Sequence, residues 1–164
     1  MGSNGSVIPF FMKEKEKGAL PITDSNMTRF NITLEEGVDL VLYSLKNAWG
    51  SEIFIPKIPS YNIIDLAKAI GGENCKINIT GIRPGEKIHE QMIGLEDAPH
   101  TYEYDDHYKI LPAIYNWSSD PERNKGGVKV DKNFTYSSDN NKEWMSVGEL
   151  KEWIDANKSK IGKI

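Results

Sequence analysis

The residues best suited to chemistry lie at positions 81–90, where the sequence reads G-I-R-P-G-E-K-I-H-E. Arg83 is followed directly by Pro84 and Gly85, a pair that favours a turn. A guanidinium group carries its N–H donors in a planar fork that matches two phosphate oxygens at a time. An arginine on a stiff turn can therefore bind an anion. The alternative, which the spacing alone favours, is a surface turn in which Arg83 pairs with Glu86 or Glu90.

Apolar residues on both sides of this turn indicate the elements that hold it. Those before the turn alternate along the chain, which is the period of a strand. Those after it recur at roughly helical spacing, which predicts that a helix follows. The alternating residues are Ile77, Ile79 and Ile82, and the residues at helical spacing are Ile88, Met92 and Ile93.

A second arginine lies within residues 20–30, which read L-P-I-T-D-S-N-M-T-R-F. The chain has 17 lysines but only three arginines, and Arg29 and Arg83 are two of the three. Arginine is thus used selectively, whereas lysine serves solubility. The pattern predicts a short strand over residues 20–23 and a turn over residues 24–26. Arg29 is predicted on a connecting segment ahead of a helix, where functional residues concentrate.

Three helices begin with recognisable capping residues. Thr33 and Glu36 have the spacing of a capping box, and so do Ser146 and Glu149. Asn62 is placed to cap a third helix. The apolar residues of the first and last helices fall on one face, which predicts that the first helix packs against a sheet. These residues are Leu34, Val38, Val41 and Leu45 in the first helix, and Leu150, Trp153 and Ile154 in the last.

The middle of the chain has the rhythm of an α/β protein. Residues 53–55, I-F-I, form an apolar run between Gly50 and Pro56 that predicts a buried strand. The helix capped by Asn62 follows and is closed by two glycines at positions 71 and 72. The strand that leads to Arg83 comes next. This order of strand, helix and strand predicts a parallel arrangement.

The character of the sequence changes after residue 95. Residues 100–108, H-T-Y-E-Y-D-D-H-Y, are aromatic and acidic, so His100 and His107 suggest a metal site. No H-x-x-x-H or fixed carboxylate spacing supports such a site, and a hydrogen-bonded surface segment is favoured. We predict two parts, residues 1–95 and a C-terminal extension of residues 96–164. The extension ends in a helix and docks on the rest.

Size and composition narrow the class of protein. A chain of 164 residues, 38% apolar and 27% charged, fits one ordinary soluble domain. A net charge of −4 and scattered lysines give no sign of nucleic-acid binding. No apolar run approaches the ~20 residues of a membrane span, and no leader pattern opens the chain. We therefore expect a cytoplasmic protein that does not bind membranes.

Three runs of the sequence together resemble one family. They are P-I-T-D-x-x-M-T-R-F-x-I-T-L-E-E-G-V, E-I-F-I-P-K-I-P-S and G-I-R-P-G-E-K-I-H-E, in unbroken order. They resemble the inverting UDP-N-acetylglucosamine 4,6-dehydratases, nucleotide-sugar enzymes of the extended short-chain dehydrogenase/reductase superfamily. A weaker match continues towards the C-terminus. It consists of Tyr136-Ser137-Ser138-Asp139, Glu143-Trp144 and Val147.

The resemblance implies a fold and a role. The fold is expected to be α/β, as the C-terminal substrate-binding portion of an NAD(P)-binding Rossmann-fold enzyme that lacks its N-terminal Rossmann core. Residues 1–95 would bind the nucleotide-sugar. The complete enzymes oxidise C4 of the sugar with NADP, lose water across C5 and C6, and return the hydride to C6 with inversion at C5. This sequence would contribute UDP-sugar binding to surface-polysaccharide biosynthesis.

The resemblance also implies particular substrate-binding residues. Two arginines would bind the diphosphate, and an N-terminal loop would lie beside the nucleotide. Such a glycine-containing loop ahead of a helix favours negative charge. The family loop usually reads G-S-R-G-S-V, so Asn4 stands here in place of an arginine. The implied residues are Arg29 and Arg83 for the diphosphate, Asn4, Ser6 and Val7 in the loop, and Glu90 beside the sugar or Arg83.

Two features of the complete enzymes do not occur in the sequence. It has no G-x-x-G-x-x-G or G-x-G-x-x-G, the glycine pattern that brings a backbone against pyrophosphate. No tyrosine has a lysine four positions later, the pair that would transfer protons. We therefore expect no catalytic residue and no cofactor site in this chain, with NADP implied only for the complete family enzyme. The expected partners are a UDP-sugar, a separate N-terminal Rossmann half, and further copies of the chain through self-association.

Two other functions stay open. A non-catalytic interaction or regulatory domain could have retained the fold after losing its enzyme half. A complete enzyme of different chemistry could use His89, His100 or His107. A neighbouring reading frame that encodes the glycine pattern would favour a split enzyme over both.

Overall fold

A computed structural model describes residues 6–114 and 121–161. These residues form short strands and four α-helices around two hydrophobic clusters. The predicted mixed α/β fold is confirmed. The helices are α1 (Val7–Lys15), α2 (Leu34–Asn47), α3 (Ile63–Gly71) and α4 (Val147–Asn157). The strands are β1 (Leu20–Ile22), β2 (Thr28–Phe30), β3 (Ile53–Pro56), β4 (Ser60–Asn62), β5 (Ile77–Ile79), β6 (Gln91–Ile93), β7 (Thr101–Glu103), β8 (His107–Ile110), β9 (Val128–Lys129) and β10 (Tyr136–Ser137).

The first hydrophobic cluster joins three helices to one parallel pair of strands. β1 pairs with β5 in parallel, with Leu20 opposite Ile77. α1 and α3 pack beside this pair, and α4 covers α3. Burial of apolar surface is the main stabilising contribution here. The residues buried in this cluster are Ile8, Phe11, Leu20, Ile22, Met27, Tyr61, Ile63, Leu66, Ala67, Ile70, Leu150 and Ile154.

The second cluster lies on an antiparallel sheet with the strand order β3-β8-β7-β9. Two further antiparallel pairs, β2 with β4 and β6 with β10, complete the described strands. The buried residues of this cluster are Ile55, Ile93, Tyr108, Ile110 and Tyr136. Both clusters combine residues from before and after position 95, whereas the division of the chain at that position stays a prediction.

The predicted helix starts are confirmed by their hydrogen bonds. The Glu36 N–H donates to Thr33 Oγ1 at 3.1 Å, and the Thr33 N–H donates to a Glu36 carboxylate oxygen at 2.7 Å. Ser146 and Glu149 make the same reciprocal pair. Asn62 Oδ1 accepts from the Ile64 N–H at 2.7 Å. Each cap satisfies a backbone donor that the first helical turn leaves without a partner.

The predicted helix after the Arg83 turn is wrong. Residues 87–90 have no regular structure, and residues 91–93 form strand β6, which pairs with β10. Apolar residues at positions 88, 92 and 93 fit either a helix or a strand, and the pairing with a distant segment decides for the strand. Arg29 also lies in a strand, β2, rather than on a connecting segment. Its partner strand is β4, with Arg29 opposite Tyr61.

The prediction that α2 packs its apolar face against a sheet is wrong for the described residues. α2 has no buried residue, although it is amphipathic and well capped. We call its outward apolar residues the α2 face, and each is between 47% and 75% exposed. A sequence pattern shows that a helix has an apolar face but does not show what covers that face. The α2 face consists of Leu34, Val38, Val41, Leu42 and Leu45.

Two further expectations need correction. Strand β3 is present, but it lies at the edge of its sheet, and Ile53 is 58% exposed. It pairs with β8 in the antiparallel sense, so the predicted parallel partnership with the strand before Arg83 is wrong. His107 is buried in β8 rather than placed on a surface segment. Among the described residues, no helix is long and apolar enough to cross a membrane.

Candidate functional site

A cavity of about 850 Å³ opens between α1, the β1 and β2 strands, and the turn at residues 80–86. It brings together four of the residues predicted for the site, namely Ser6, Val7, Arg29 and Arg83. Glu90 is not among its lining residues, and Asn4 lies outside the described residues. The helix α1 begins at Val7, so the first turn of a helix forms part of the cavity wall. We call this space the large cavity.

Arg83 reaches the large cavity from the turn that the sequence predicts. The Glu86 N–H donates to the Arg83 carbonyl at 3.0 Å, and Gly85 has a φ of 82°. Proline at the second position and glycine with positive φ at the third are the requirements of a type II turn. Gly81, with a φ of 84°, redirects the chain just before it. A side chain at Gly85 would strain the turn, so the glycine is required by the geometry.

The alternative pairing of Arg83 with Glu86 or Glu90 is not what the described residues show. The Glu86 carboxylate accepts from the backbone N–H of Arg83 at 3.2 Å and from the Thr23 hydroxyl at 3.1 Å. Glu86 therefore stabilises the turn itself. Across residues 6–114 and 121–161, the guanidinium of Arg83 makes no hydrogen bond or ion pair, although it lies in the cavity wall.

Arg29 has a different environment because most of its donors are used within the protein. Its Nη1 donates to the Thr28 carbonyl at 2.7 Å and to the Ile88 carbonyl at 2.9 Å. Its Nη2 donates to the Lys87 carbonyl at 2.9 Å, and its Nε lies 3.4 Å from a Glu90 carboxylate oxygen. Arg29 thus holds residues 87–90 against β2, and the expected contact of Glu90 with Arg83 is replaced by a contact with Arg29.

A chain of hydroxyl groups holds the same segment from the opposite side. Thr28 Oγ1 lies 2.7 Å from Ser138 Oγ and 2.8 Å from His89 Nδ1. The Glu90 N–H donates to Ser138 Oγ at 2.9 Å, and the Ser138 N–H donates to the Glu90 carbonyl at 2.7 Å. Thr28 and Ser138 are both buried. The only sequence signal for this role was the weak family match at residues 136–139.

Asp139 lies at the outer end of this network. Its Oδ2 is 4.0 Å from His89 Nε2, and its Oδ1 accepts from the Ser137 hydroxyl at 2.6 Å. The hydrogen bond from Ser137 is the main cause that holds the pKa of the Asp139 carboxyl below its usual range. Asp139 is therefore ionised near neutral pH, and its carboxylate faces the Nε2 atom of His89.

Two cavity residues were not singled out from the sequence. Lys13 lies in the wall on α1, and no hydrogen bond or ion pair of its ammonium group is found among the described residues. Phe10 also lines the cavity and is 45% exposed, whereas its neighbour Phe11 is buried. An alternating run of charges at residues 13–17 looks like an ordinary solvated face, so the sequence contains no signal for Lys13.

The electrostatics of the large cavity favour an anion. Its charged wall residues are Lys13, Arg29, Arg83 and Glu86, of which the last is occupied by the turn. Tyr61 also lines the wall, and burial is the main cause that raises the pKa of its hydroxyl above the usual value. Tyr61 therefore stays neutral and adds no negative charge. The charged groups of Lys13 and Arg83 have no partner among the described residues, and the wall also includes the first turn of α1, which together favour a phosphate group.

A smaller cavity of about 390 Å³ lies between α2 and the edge strand β3. Asp39, Lys57, Asp106 and His107 are among its lining residues. His107 Nδ1 lies 2.7 Å from Asp106 Oδ1, and this hydrogen bond is the main cause that lowers the pKa of Asp106. In the described part of the chain, no group of three or more His, Cys, Asp or Glu side chains could hold a metal ion.

The large cavity combines the first turn of a helix with an Arg83 guanidinium that has no partner among the described residues, an arrangement that suits a phosphorylated ligand. The chain belongs to the polysaccharide biosynthesis protein family, whose model matches residues 1–112. It is 49% identical over 162 residues to a UDP-N-acetylglucosamine 4,6-dehydratase (inverting) of Campylobacter jejuni, across 94% of this chain and 48% of that protein. The predicted resemblance to these dehydratases is confirmed.

The chain is also similar to two other known proteins. A UDP-glucose 4-epimerase of Rickettsia canadensis is 40% identical over 114 residues, which are 67% of this chain and 33% of that protein. The X-ray structure of Pen from Bacillus thuringiensis superposes with a TM-score of 0.79 at 31% identity, over 96% of this chain and 48% of that chain. The chain spans about half the length of the Campylobacter dehydratase and of Pen.

Proposed function

We propose that this chain is the UDP-sugar-binding portion of an inverting UDP-N-acetylglucosamine 4,6-dehydratase. The observation that carries the proposal is the Arg83 guanidinium, which lies in the wall of the large cavity with no partner among the described residues. A guanidinium in this position presents its donors to a ligand at no cost in broken internal hydrogen bonds. The diphosphate of a UDP-sugar has the charge and the oxygen spacing that this group binds.

The site residues divide into two roles under this proposal. Arg83 contacts the diphosphate directly, and Ser6 and Val7 bring the first turn of α1 towards the same ligand. Arg29 contributes positive charge to the cavity but acts mainly by fixing residues 87–90, because its donors are bonded to Lys87 and Ile88. Asn4 belongs to the proposed loop by sequence, and Glu90 acts through Arg29.

The residues of this chain do not fit a nicotinamide cofactor. A dinucleotide site needs glycines at a strand-to-helix junction so that the backbone can approach the pyrophosphate. The junction of β4 and α3 has Asn62 and Ile63 in that place, with the Asn62 side chain capping the helix. NADP, which the proposed dehydratase chemistry requires, is therefore assigned to a separate Rossmann half. This chain binds and orients the sugar nucleotide and performs none of the redox steps.

The α2 face is the surface that this Rossmann half would cover. Its five apolar side chains are exposed in the described structure, and Trp49 and Ile53 add exposed apolar surface close to them in sequence. An exposed apolar patch of this kind marks an interaction surface. The relatives have about twice the length of this chain, and the part of them that this chain does not match is the proposed partner for the patch.

The test of the proposal is the binding of UDP and UDP-N-acetylglucosamine by calorimetry. The chain is used with the N-terminal half of a related dehydratase supplied in trans, or fused to that half. Hydrogen bonds to charged groups contribute roughly 1.5–3 kcal/mol, so Arg83→Ala should weaken binding about 10- to 150-fold. Arg83→Lys should recover part of the loss, because an ammonium keeps the charge but loses the planar fork.

Arg123→Ala is the matched control, since Arg123 stacks on Trp49 and is not part of the large cavity. Its affinity for UDP should equal that of the wild type. Equal affinity of the wild type and Arg83→Ala would overturn the assignment of the site. The exposed α2 face also favours the second candidate, a non-catalytic interaction domain, and a chain that binds the N-terminal half but no UDP would support it.

A further inference from the structure

The segment that follows the Arg83 turn has no regular structure of its own. Residues 87–90 lie between the turn and strand β6 without helix or strand hydrogen bonds. A segment of this kind is ordered by contacts from elsewhere in the chain, such as the Thr28 N–H, which donates to the Ile88 carbonyl at 3.0 Å. Arg29 supplies contacts on one side, through the Lys87 and Ile88 carbonyls. The other contacts come from a part of the chain about 50 residues further on.

Ser138 supplies these contacts through a completely buried hydroxyl group. Its Oγ accepts from the Glu90 N–H at 2.9 Å and lies 2.7 Å from the Thr28 hydroxyl. Its own N–H donates to the Glu90 carbonyl at 2.7 Å. Ser138 therefore joins Glu90 to the residue that directly precedes Arg29. Tyr136 anchors the segment that contains Ser138, since the Tyr136 hydroxyl donates to the Ile58 carbonyl at 3.2 Å.

Only one arrangement of protons lets both hydroxyl groups of this network, those of Ser138 and Thr28, donate a hydrogen bond. The Glu90 N–H donates to Ser138, the Ser138 hydroxyl donates to Thr28, and the Thr28 hydroxyl donates to His89 Nδ1. The ring proton of His89 is then on Nε2, which faces Asp139. Because each hydroxyl both donates and accepts, the loss of any one leaves a buried group without a partner. Such losses are costly in a buried network.

We propose that Ser138 and Thr28 are positioning residues of the UDP-sugar site. Their hydroxyls fix residues 87–90 and thereby the turn that presents Arg83 to the ligand. The inference rests on the proposed function for its effect on affinity, but the ordering of residues 87–90 can be measured without any ligand. Residues 136–139, which belong to the C-terminal extension, are on this view part of the nucleotide-sugar site.

The first measurement is amide hydrogen exchange in the full chain. In Ser138→Ala the Glu90 N–H loses its acceptor, and the amide of Glu90, together with that of Glu86, which donates to the Arg83 carbonyl in the turn, should exchange about tenfold faster or more. Ser60→Ala is the matched control, because the Ser60 hydroxyl is equally buried and accepts from Asn141 at 3.0 Å. It should leave exchange at residues 86–90 unchanged. Unchanged exchange in Ser138→Ala would overturn the proposal.

The second measurement is UDP affinity, in the setting used for Arg83. Coupling between contacting residues predicts that Ser138→Ala weakens binding about 2- to 150-fold. In an Arg83→Ala background the same change should weaken it less than about twofold, because Ser138 acts through Arg83. Thr28→Val should repeat the loss, and Thr28→Ser, which keeps the hydroxyl, should restore affinity.

The outcomes separate the two proposals. Full additivity of Ser138→Ala and Arg83→Ala would assign Ser138 a purely structural role and overturn the inference. A wild-type complex that binds no UDP would overturn the proposed function, and the exchange experiment would still decide whether Ser138 orders residues 87–90.

Discussion

At the scale of single residues, the two arginines of the site have the same side chain and opposite surroundings. The guanidinium of Arg29 donates to three backbone carbonyls, whereas the guanidinium of Arg83 has no partner among the described residues. Family resemblance assigned both of them to the diphosphate and could not separate them. The two arginines differ because the carbonyls of residues 87 and 88 lie beside the Arg29 guanidinium, and this placement is known only from the structure.

The first prediction follows from this difference. Arg29→Ala should lower the free energy of unfolding by about 1.5–3 kcal/mol, because the carbonyls of Thr28 and Lys87 lose the guanidinium donor that they accept from. Arg83→Ala should change it by less than about 0.5 kcal/mol. Urea denaturation of both variants measures the difference. Equal losses would show that Arg83 has an internal partner after all.

At the scale of elements, local chemistry predicted more than long-range pairing did. Thr33 with Glu36, Ser146 with Glu149, and Asn62 were each identified as caps, because a cap and its helix lie within a few residues of each other. The strand at residues 91–93 was missed because its partner is β10, more than 40 residues away. In the candidate site, too, the local feature was predicted and the long-range contact was not. The Arg83 turn was predicted from P-G, whereas the Ser138 contact was not.

The second prediction compares two helical glycines. A Cβ at Gly71, at the end of α3, would lie 2.3 Å from Cys75 Sγ and 2.6 Å from Cys75 Cβ. Gly71→Ala should therefore destabilise the chain by about 1–3 kcal/mol through overpacking. A Cβ at Gly37, in α2, would meet nothing within 4 Å. Gly37→Ala should stabilise the chain by roughly 0.5–1 kcal/mol through helix propensity.

Thermal unfolding measures the stability of the two variants through their Tm. Opposite shifts of Tm are expected, with a fall for Gly71→Ala and a rise for Gly37→Ala. A rise in both would mean that the chain around Cys75 relaxes to accept the methyl group, and that the tight contact is not required for α3 to end at Gly71.

At the scale of the whole molecule, the α2 face governs how the chain behaves alone. Five apolar side chains on one helix, each at least 47% exposed, form a surface that associates in water. The third prediction is that the isolated chain self-associates through this face. Leu45→Lys combined with Val41→Lys should shift the chain towards monomer in sedimentation experiments, because a lysine cannot be buried cheaply without a partner.

Leu95→Lys provides the control, since Leu95 is 57% exposed and lies outside α2. It should leave association unchanged. A wild-type chain that stays monomeric at high concentration would contradict the prediction. Addition of the proposed N-terminal half should also reduce self-association, because that half and a second copy of the chain would compete for the α2 face.

The packing of α4 has a consequence for the order in which the protein can fold during synthesis. Leu150 and Ile154 complete a cluster whose other buried members all lie at or before residue 70. The contact of Thr28 with Ser138 spans 110 residues. During synthesis, the cluster members up to residue 70 therefore leave the ribosome before the helix that completes their cluster. We expect this cluster to stay open until α4 has been translated, and its apolar residues to be accessible to chaperones during that interval.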